Sequence, residues 1–134
     1  RIYHGENPLV VWGDGTAIRD FVHSKDVAKG IVLALYHGTN SRCVNLGYGG
    51  NGVTIRELVE TLATVIDFEY VFDPSKPRGA LKRVMDITVA RETLKYDPLI
   101  KLKEGLQTTW DWFTESPGDH ELKNNYFVQE KNND

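Results

Sequence analysis

Residues 10–28, VVWGDGTAIRDFVHSKDVA, set an aromatic side chain and two cations around a glycine turn. Trp12 precedes Gly13-Asp14-Gly15, Arg19 follows, and Lys25 stands a little further on. A planar guanidinium suits phosphate because it donates parallel, charge-assisted hydrogen bonds. An indole at a strand end offers an apolar wall or a surface on which a base or sugar stacks. This is chemistry for holding an anionic, ring-bearing ligand. A purely structural reading competes with it: Arg19 pairs with Asp20 or Asp26 on the surface, and Trp12 is core.

A second stretch, CVNLGYGGNGVTIRELVE, contains Gly47, Gly49 and Gly52 in the order G-x-G-x-x-G between an apolar run and a helix. That is the setting of a dinucleotide-binding turn, and Asp67 or Asp73 could supply an acidic ribose contact. Three features favour an ordinary turn instead. Thr54 and Glu57 form a capping box, so the helix starts past the last glycine with its free amides already satisfied. FEYVF, residues 68–72, alternates like a half-exposed antiparallel strand rather than a buried parallel one. No further strand–helix units follow.

The elements that must position these residues are legible in outline. Residues 9–12 predict a strand running into the 13–15 turn, and IRDFVHS a second extended stretch. Ser24 is placed to cap a helix with Asp26 in its first turn and Gly38 past its end. The apolar breadth of that helix predicts cover on most sides. CVNL, 43–46, reads as a short buried parallel strand, with Cys43 as a buried, inert thiol. Ile55, Leu58, Val59, Leu62 and Ile66 recur at helical spacing after the capping box. Pro74, Pro77 and Gly79 punctuate a loop, DITVARETLKY predicts a short helix ending before Pro98, and Leu102, Leu106, Trp110 and Phe113 share one side of a last helix.

The chain has 134 residues, 40% hydrophobic and 26% charged, which suits one globular domain with one core. A net charge of −3 gives no global attraction to nucleic acid or an anionic membrane, so any anion site must be local. No apolar run approaches the roughly 18 residues that span a bilayer. One cysteine permits no internal disulfide, which fits a reducing cytoplasm. Starting at Arg1, the chain reads as a piece of a longer protein. Residues 1–116 are expected to form the domain and 117–134 a polar tail.

VWGDGTAIRDFVHSKDVAKGIVLAL resembles the WG-x-G-x-x-x-R-(D/E)-F-(L/V/I)-(H/Y)-x-x-D segment of the extended short-chain dehydrogenase/reductases, the nucleotide-sugar epimerases and dehydratases. VNLGYGGNGVTIRELVETLATVI is similar to the strand and helix that follow in that family. VFDPSKPRGALKRVMDITVARETLKYDPLIKLKEGLQTTWDWF resembles the ending of the branch that converts GDP-4-keto-6-deoxymannose to GDP-L-fucose. The likeness runs over residues 9–114. It implies an α/β fold: a carboxy-terminal substrate-binding lobe with small mixed sheets, about four helices and an outer strand, CVNL, of an incomplete Rossmann domain.

The resemblance also implies roles. Trp12 and Arg19 would contact a nucleotide-diphosphate sugar, Arg83 would join them, and Lys82 would stand beside it. Arg78 departs from the pattern, since an acidic residue that meets substrate is usual there, which leaves related nucleotide sugars open; a solvent-facing side chain is the alternative. His23 reads as packing. NADP, its glycine motif and the catalytic Tyr-x-x-x-Lys pair would lie in an amino-terminal cofactor domain, whose helices would build any homodimer. Here Tyr3, Tyr36, Tyr48, Tyr70, Tyr96 and Tyr126 are followed four residues on by Asn7, Asn40, Gly52, Pro74, Ile100 and Glu130, none of them lysine. No catalytic residue, cofactor site or metal site is therefore assigned to this chain, which alone is expected to be inactive. Two other readings stay open: a 4-epimerase or 4,6-dehydratase of the same family, and a non-catalytic nucleotide-sugar-binding or interaction domain.

Overall fold

The computed structural model describes residues 1–40 and 42–115; the expected polar tail lies outside the described residues. In chain order the elements are β1 (Leu9–Trp12), β2 (Ile18–Arg19), α1 (Ser24–His37), β3 (Val53–Thr54) and α2 (Ile55–Ala63). Then come β4 (Tyr70–Asp73), β5 (Lys82–Arg83), α3 (Thr88–Leu94) and α4 (Leu102–Glu115). Two small sheets result. One pairs β1 with β4; the other has the order β3-β2-β5. The architecture is the expected mixed α/β lobe with four helices among the described residues.

Several expectations need correction. β4 runs parallel to β1, with Leu9 opposite Tyr70 and Trp12 opposite Asp73. Alternation reported a strand with one exposed face, but a two-stranded ribbon lets a parallel pair have one too. Residues 43–46 pair with no strand among the described residues. They still alternate, with Val44 and Leu46 against the core while Cys43 and Asn45 are exposed, so the thiol is not buried. α1 is capped by His23, whose Nδ1 accepts from the Lys25 amide at 3.2 Å, and Ser24 is already helical. Nor is α1 covered on most sides: Ile31, Val32, Leu35 and Tyr36 are all exposed, Tyr36 at 84%.

α2 opens on the expected capping box. Thr54 Oγ1 accepts from the Glu57 amide at 3.0 Å, and Glu57 Oε2 accepts from the Thr54 amide at 2.8 Å. These bonds to Thr54, first the backbone one, hold the Glu57 carboxyl below its usual range. α3 is shorter than its periodicity suggests. Asp86 Oδ1 accepts from the Thr88 amide at its start, and Lys95 turns left-handed at φ 55° to end it, with the Tyr96 amide reaching back to Ala90 O.

The core lies between α1 and α3. Ile87, Ala90, Leu94 and Tyr96 form its buried centre, with Leu33, Ala34, Val44 and Leu46 packed against them. Tyr96 is 1% exposed and donates its hydroxyl to Gly47 O at 3.1 Å. Burial, then the charges of Asp26 and Asp20, push its phenol above the ordinary value of 10.0. The folded chain therefore holds this proton more tightly than the unfolded chain. The resulting stability is complete below the ordinary tyrosine value and is lost as pH rises through the higher folded value. Urea unfolding followed upward from pH 9 is expected to show stability falling more steeply in the unmodified chain than in Tyr96→Phe. Parallel profiles would refute this assignment.

Candidate functional site

Positioning starts at the three-stranded sheet. In β2, Ile18 lies opposite Lys82 and Arg19 opposite Arg83 on parallel β5, while Val53 of β3 faces Arg19 from the other side. Residues opposite each other in a ladder project from the same face, on strands about 4.8 Å apart. Arg19 and Arg83, distant in sequence, are thus immediate neighbours in one row. The same alternation sends Lys82 to the face of Ile18, away from the arginine row. Gly52 makes the crossing possible: at φ +75°, a Cβ there would stand 2.8 Å from Arg19 O and 2.7 Å from Ile18 Cγ2.

Arg19 is oriented by backbone oxygens. Nη1 donates to Ile18 O at 2.7 Å and to Ala80 O at 2.8 Å, and Nη2 donates to Arg78 O at 3.5 Å. Its Nε–H and one Nη2–H make no bond among the described residues. Its Nε–H is therefore left for an anion such as a carboxylate or phosphate. Arg83 is exposed and has no partner among the described residues. Neither arginine is in an ion pair among the described residues, so the row carries two positive charges without a counter-anion.

The expected surface pairing of Arg19 with Asp20 or Asp26 does not form, for a geometric reason. Strand alternation turns Asp20 to the opposite side from Arg19, where it binds the glycine loop. Oδ1 accepts from the Tyr48 amide at 2.9 Å, and Oδ2 accepts from the Gly49 and Met85 amides at 3.2 and 3.1 Å. Asp26 is buried at 4% exposure and accepts from the Leu99 and Ile100 amides. Trp12 is not core either; it ends β1 at 62% exposure.

The glycine loop is an internal joint. Amides that a dinucleotide phosphate would need are bound to the Asp20 carboxylate, and a Cβ on Gly47 would stand 2.5 Å from Asp20 Oδ2. Those residues do not fit a cofactor at this turn. Sequence reasoning passed over Asp20. The available signal was its position next to Arg19 in an alternating strand, which made it the one carboxylate free to face the other way.

Arg78 stands between the sheets. Its Nη1 donates to Asp14 Oδ2 at 3.1 Å and Thr16 Oγ1 at 3.4 Å, and its backbone lies over Gly13, next to Trp12. The side-chain bond from Thr16, then the Thr16 amide and the charge of Arg78, hold Asp14 below the usual carboxylate range. His23 caps α1 and packs against Gly105. An apolar groove of about 270 Å³ between Tyr3, Leu62, Ile66, Leu106, Trp110 and Phe113 is lined by Arg1 of the opening segment but by none of Arg19, Arg78 and Arg83. The described residues contain no group of three or more His, Cys, Asp or Glu able to hold a metal. None of their helices is long and apolar enough to cross a membrane. What these residues offer is binding chemistry: an exposed indole at the end of β1, a guanidinium with an unbonded Nε–H, and an exposed second cation on the neighbouring strand.

The mixed α/β lobe agrees with comparison to known proteins. A profile of the NAD dependent epimerase/dehydratase family matches residues 1–47, and sequence and structural relatives extend the resemblance to such extended short-chain dehydrogenases/reductases over most of the chain. More particularly, the chain is similar to "Probable GDP-L-fucose synthase 1" of Oryza sativa subsp. japonica. The two are 37% identical over 110 residues, 81% of this chain and 33% of that protein. The GDP-L-fucose synthase of Escherichia coli (strain K12) is 36% identical over 118 residues, again 81% of this chain and 36% of that protein. Among solved structures, the UDP-glucose 4-epimerase of Thermotoga maritima with UDP-glucose superposes with a TM-score of 0.74 at 32% identity, over 87% of this chain and 38% of that one. The chain spans about a third of the length of the curated relatives it matches.

Proposed function

We propose that this chain is the carboxy-terminal, nucleotide-sugar-binding part of an NADP-dependent epimerase/reductase, acting in the cytoplasm to turn GDP-4-keto-6-deoxymannose into GDP-L-fucose. The observation that carries the reading is the pairing of Arg19 with Arg83 on adjacent strands, with the Arg19 Nε–H unbonded among the described residues. Two cations at that spacing suit the two phosphates of a diphosphate. Likeness to GDP-L-fucose synthases supports the choice of sugar nucleotide. In this reading Arg19 and Arg83 clamp the diphosphate, Trp12 walls the base or sugar, and Arg78 extends the positive field, while Lys82, on the opposite face of β5, takes no part. NADP, held by the amino-terminal part, would supply the hydride when bound. The residues of this chain contribute by orienting the sugar, which converts binding energy into correct placement at the reacting centre.

A UDP-sugar 4-epimerase is the second reading, favoured by the solved relative that carries UDP-glucose. Titration calorimetry of the full-length enzyme with GDP, UDP, GMP and UMP separates these cases. The diphosphate is expected to bind at least about tenfold more tightly than its monophosphate, as one charge-assisted contact implies, and GDP more tightly than UDP. UDP preference would favour the second reading. Equal affinity for mono- and diphosphates would sink both.

A further inference from the structure

The loop between β4 and β5 is an exposed strap. Between residues 77 and 80, its hydrogen bonds to the rest of the described chain all run through two side chains. The Arg19 guanidinium donates to Arg78 O and Ala80 O. The Arg78 guanidinium donates to Asp14 Oδ2 and Thr16 Oγ1. Arg78 therefore has its carbonyl under the site arginine and its side chain on the turn that follows Trp12. That turn is itself firm. Asp14 Oδ1 accepts from the Thr16 amide at 3.0 Å and from Thr16 Oγ1 at 2.6 Å, while Asp14 O accepts from Arg56 Nη2 at 2.9 Å. Arg56 in turn lies 4.2 Å from the Phe72 ring centroid.

We infer that the Asp14–Arg78 ion pair is a latch that positions Arg19: it pins the strap, and the strap's carbonyls then aim the Arg19 guanidinium at the ligand's diphosphate. Asp14 and Arg78 are positioning residues on this view, and the Arg78 guanidinium does not touch the ligand. The inference rests on the nucleotide-sugar reading above. Without the latch, residues 77–80 would keep only their hydrogen bonds to Arg19, ahead of the Ile18 amide's bond to Leu81 O at 2.8 Å, and a looser strap would hold the Arg19 rotamer less well. An exposed pair of this kind contributes little to unfolding free energy, so its effect belongs in affinity rather than in melting temperature.

The test uses the full-length enzyme titrated calorimetrically with GDP and UDP. Asp14→Asn keeps an oxygen for Thr16 yet removes the charge that holds Arg78. Asp14→Asn and Arg78→Ala are each expected to weaken diphosphate binding about fivefold. Arg78→Lys is expected to recover most of that loss, and Arg78→Ala is expected to add nothing in an Arg19→Ala background. Direct contact between Arg78 and the ligand predicts the contrary: Asp14→Asn binds as well as the unmodified enzyme or better, and the Arg19 and Arg78 losses add. That outcome overturns the latch and leaves the functional reading intact. Failure of the unmodified enzyme to bind GDP or UDP overturns both.

Discussion

Asp20→Ala is expected to lower the unfolding free energy by about 3 kcal/mol, the order of two charge-assisted hydrogen bonds. One carboxylate satisfies three amides from two segments, those of Tyr48 and Gly49 in the glycine loop and Met85 beyond β5. Alanine would leave all three donors in a half-buried joint with no acceptor, and a stranded donor costs more than a formed bond gains. The loss should spread. Met85 follows the strand that carries Arg83, and Gly47 accepts the Tyr96 hydroxyl in the core, so joint, sheet and core loosen together. Asp20→Asn retains one acceptor oxygen but presents an amide to the remaining donors, and an intermediate loss is expected. Urea unfolding of the two variants beside the unmodified chain measures this. A difference under about 0.5 kcal/mol, the usual range of an uninvolved surface position, would show that the carboxylate does not hold the joint.

Arg19→Ala and Arg83→Ala are each expected to weaken binding of a nucleoside diphosphate by about 10- to 150-fold, the equivalent of 1.5–3 kcal/mol. Conservative variants should separate the two positions. Arg83 is exposed and has no partner among the described residues, so Arg83→Lys preserves most of its charge effect. Arg19 donates to the carbonyls of Ile18, Ala80 and Arg78 and, in the proposed reading, keeps its Nε–H for the ligand. A lysine ammonium cannot do both, and Arg19→Lys should bind nearly as poorly as Arg19→Ala. The two alanine losses should be non-additive, since neighbours in one row share one anion. Affinity should also fall with ionic strength, because both charges face solvent. Calorimetric titration with GDP reads these outcomes, with thermal melting as the control for folding. Unaltered affinity in both alanine variants would remove the clamp.

Much of the architecture was open to reading from short windows of residues. The capping box from Thr54 to Glu57 marked the start of α2, the strand Leu9–Trp12 ran into its glycine turn, and Gly38 stood past the end of α1. Family resemblance pointed to Trp12, Arg19 and Arg83. These signals are local: a cap, a turn or a period is complete within a few residues, and its energy is gained without any distant partner.

Nonlocal facts left no such trace. β2 and β5 are two residues each, too short to show a period, so nothing in the order of residues reveals that Arg19 lies opposite Arg83. Their register is set by contacts from elsewhere, with Gly52 crossing against Ile18 and Arg19 and the Asp20 carboxylate tying the segment after β5 to the glycine loop. The parallel sense of β4, the exposure of Trp12 and Cys43, and the uncovered side of α1 belong to the same class. Local composition marked the longer helices, the strand Leu9–Trp12 and its turn, and which side chains are fit to meet an anion, but not that residues 43–46 stay unpaired or that Lys82–Arg83 form a strand. Only folding decided which of those side chains became neighbours, because a strand pairing is selected by the free energy of the whole packed lobe and not by the few residues that form it.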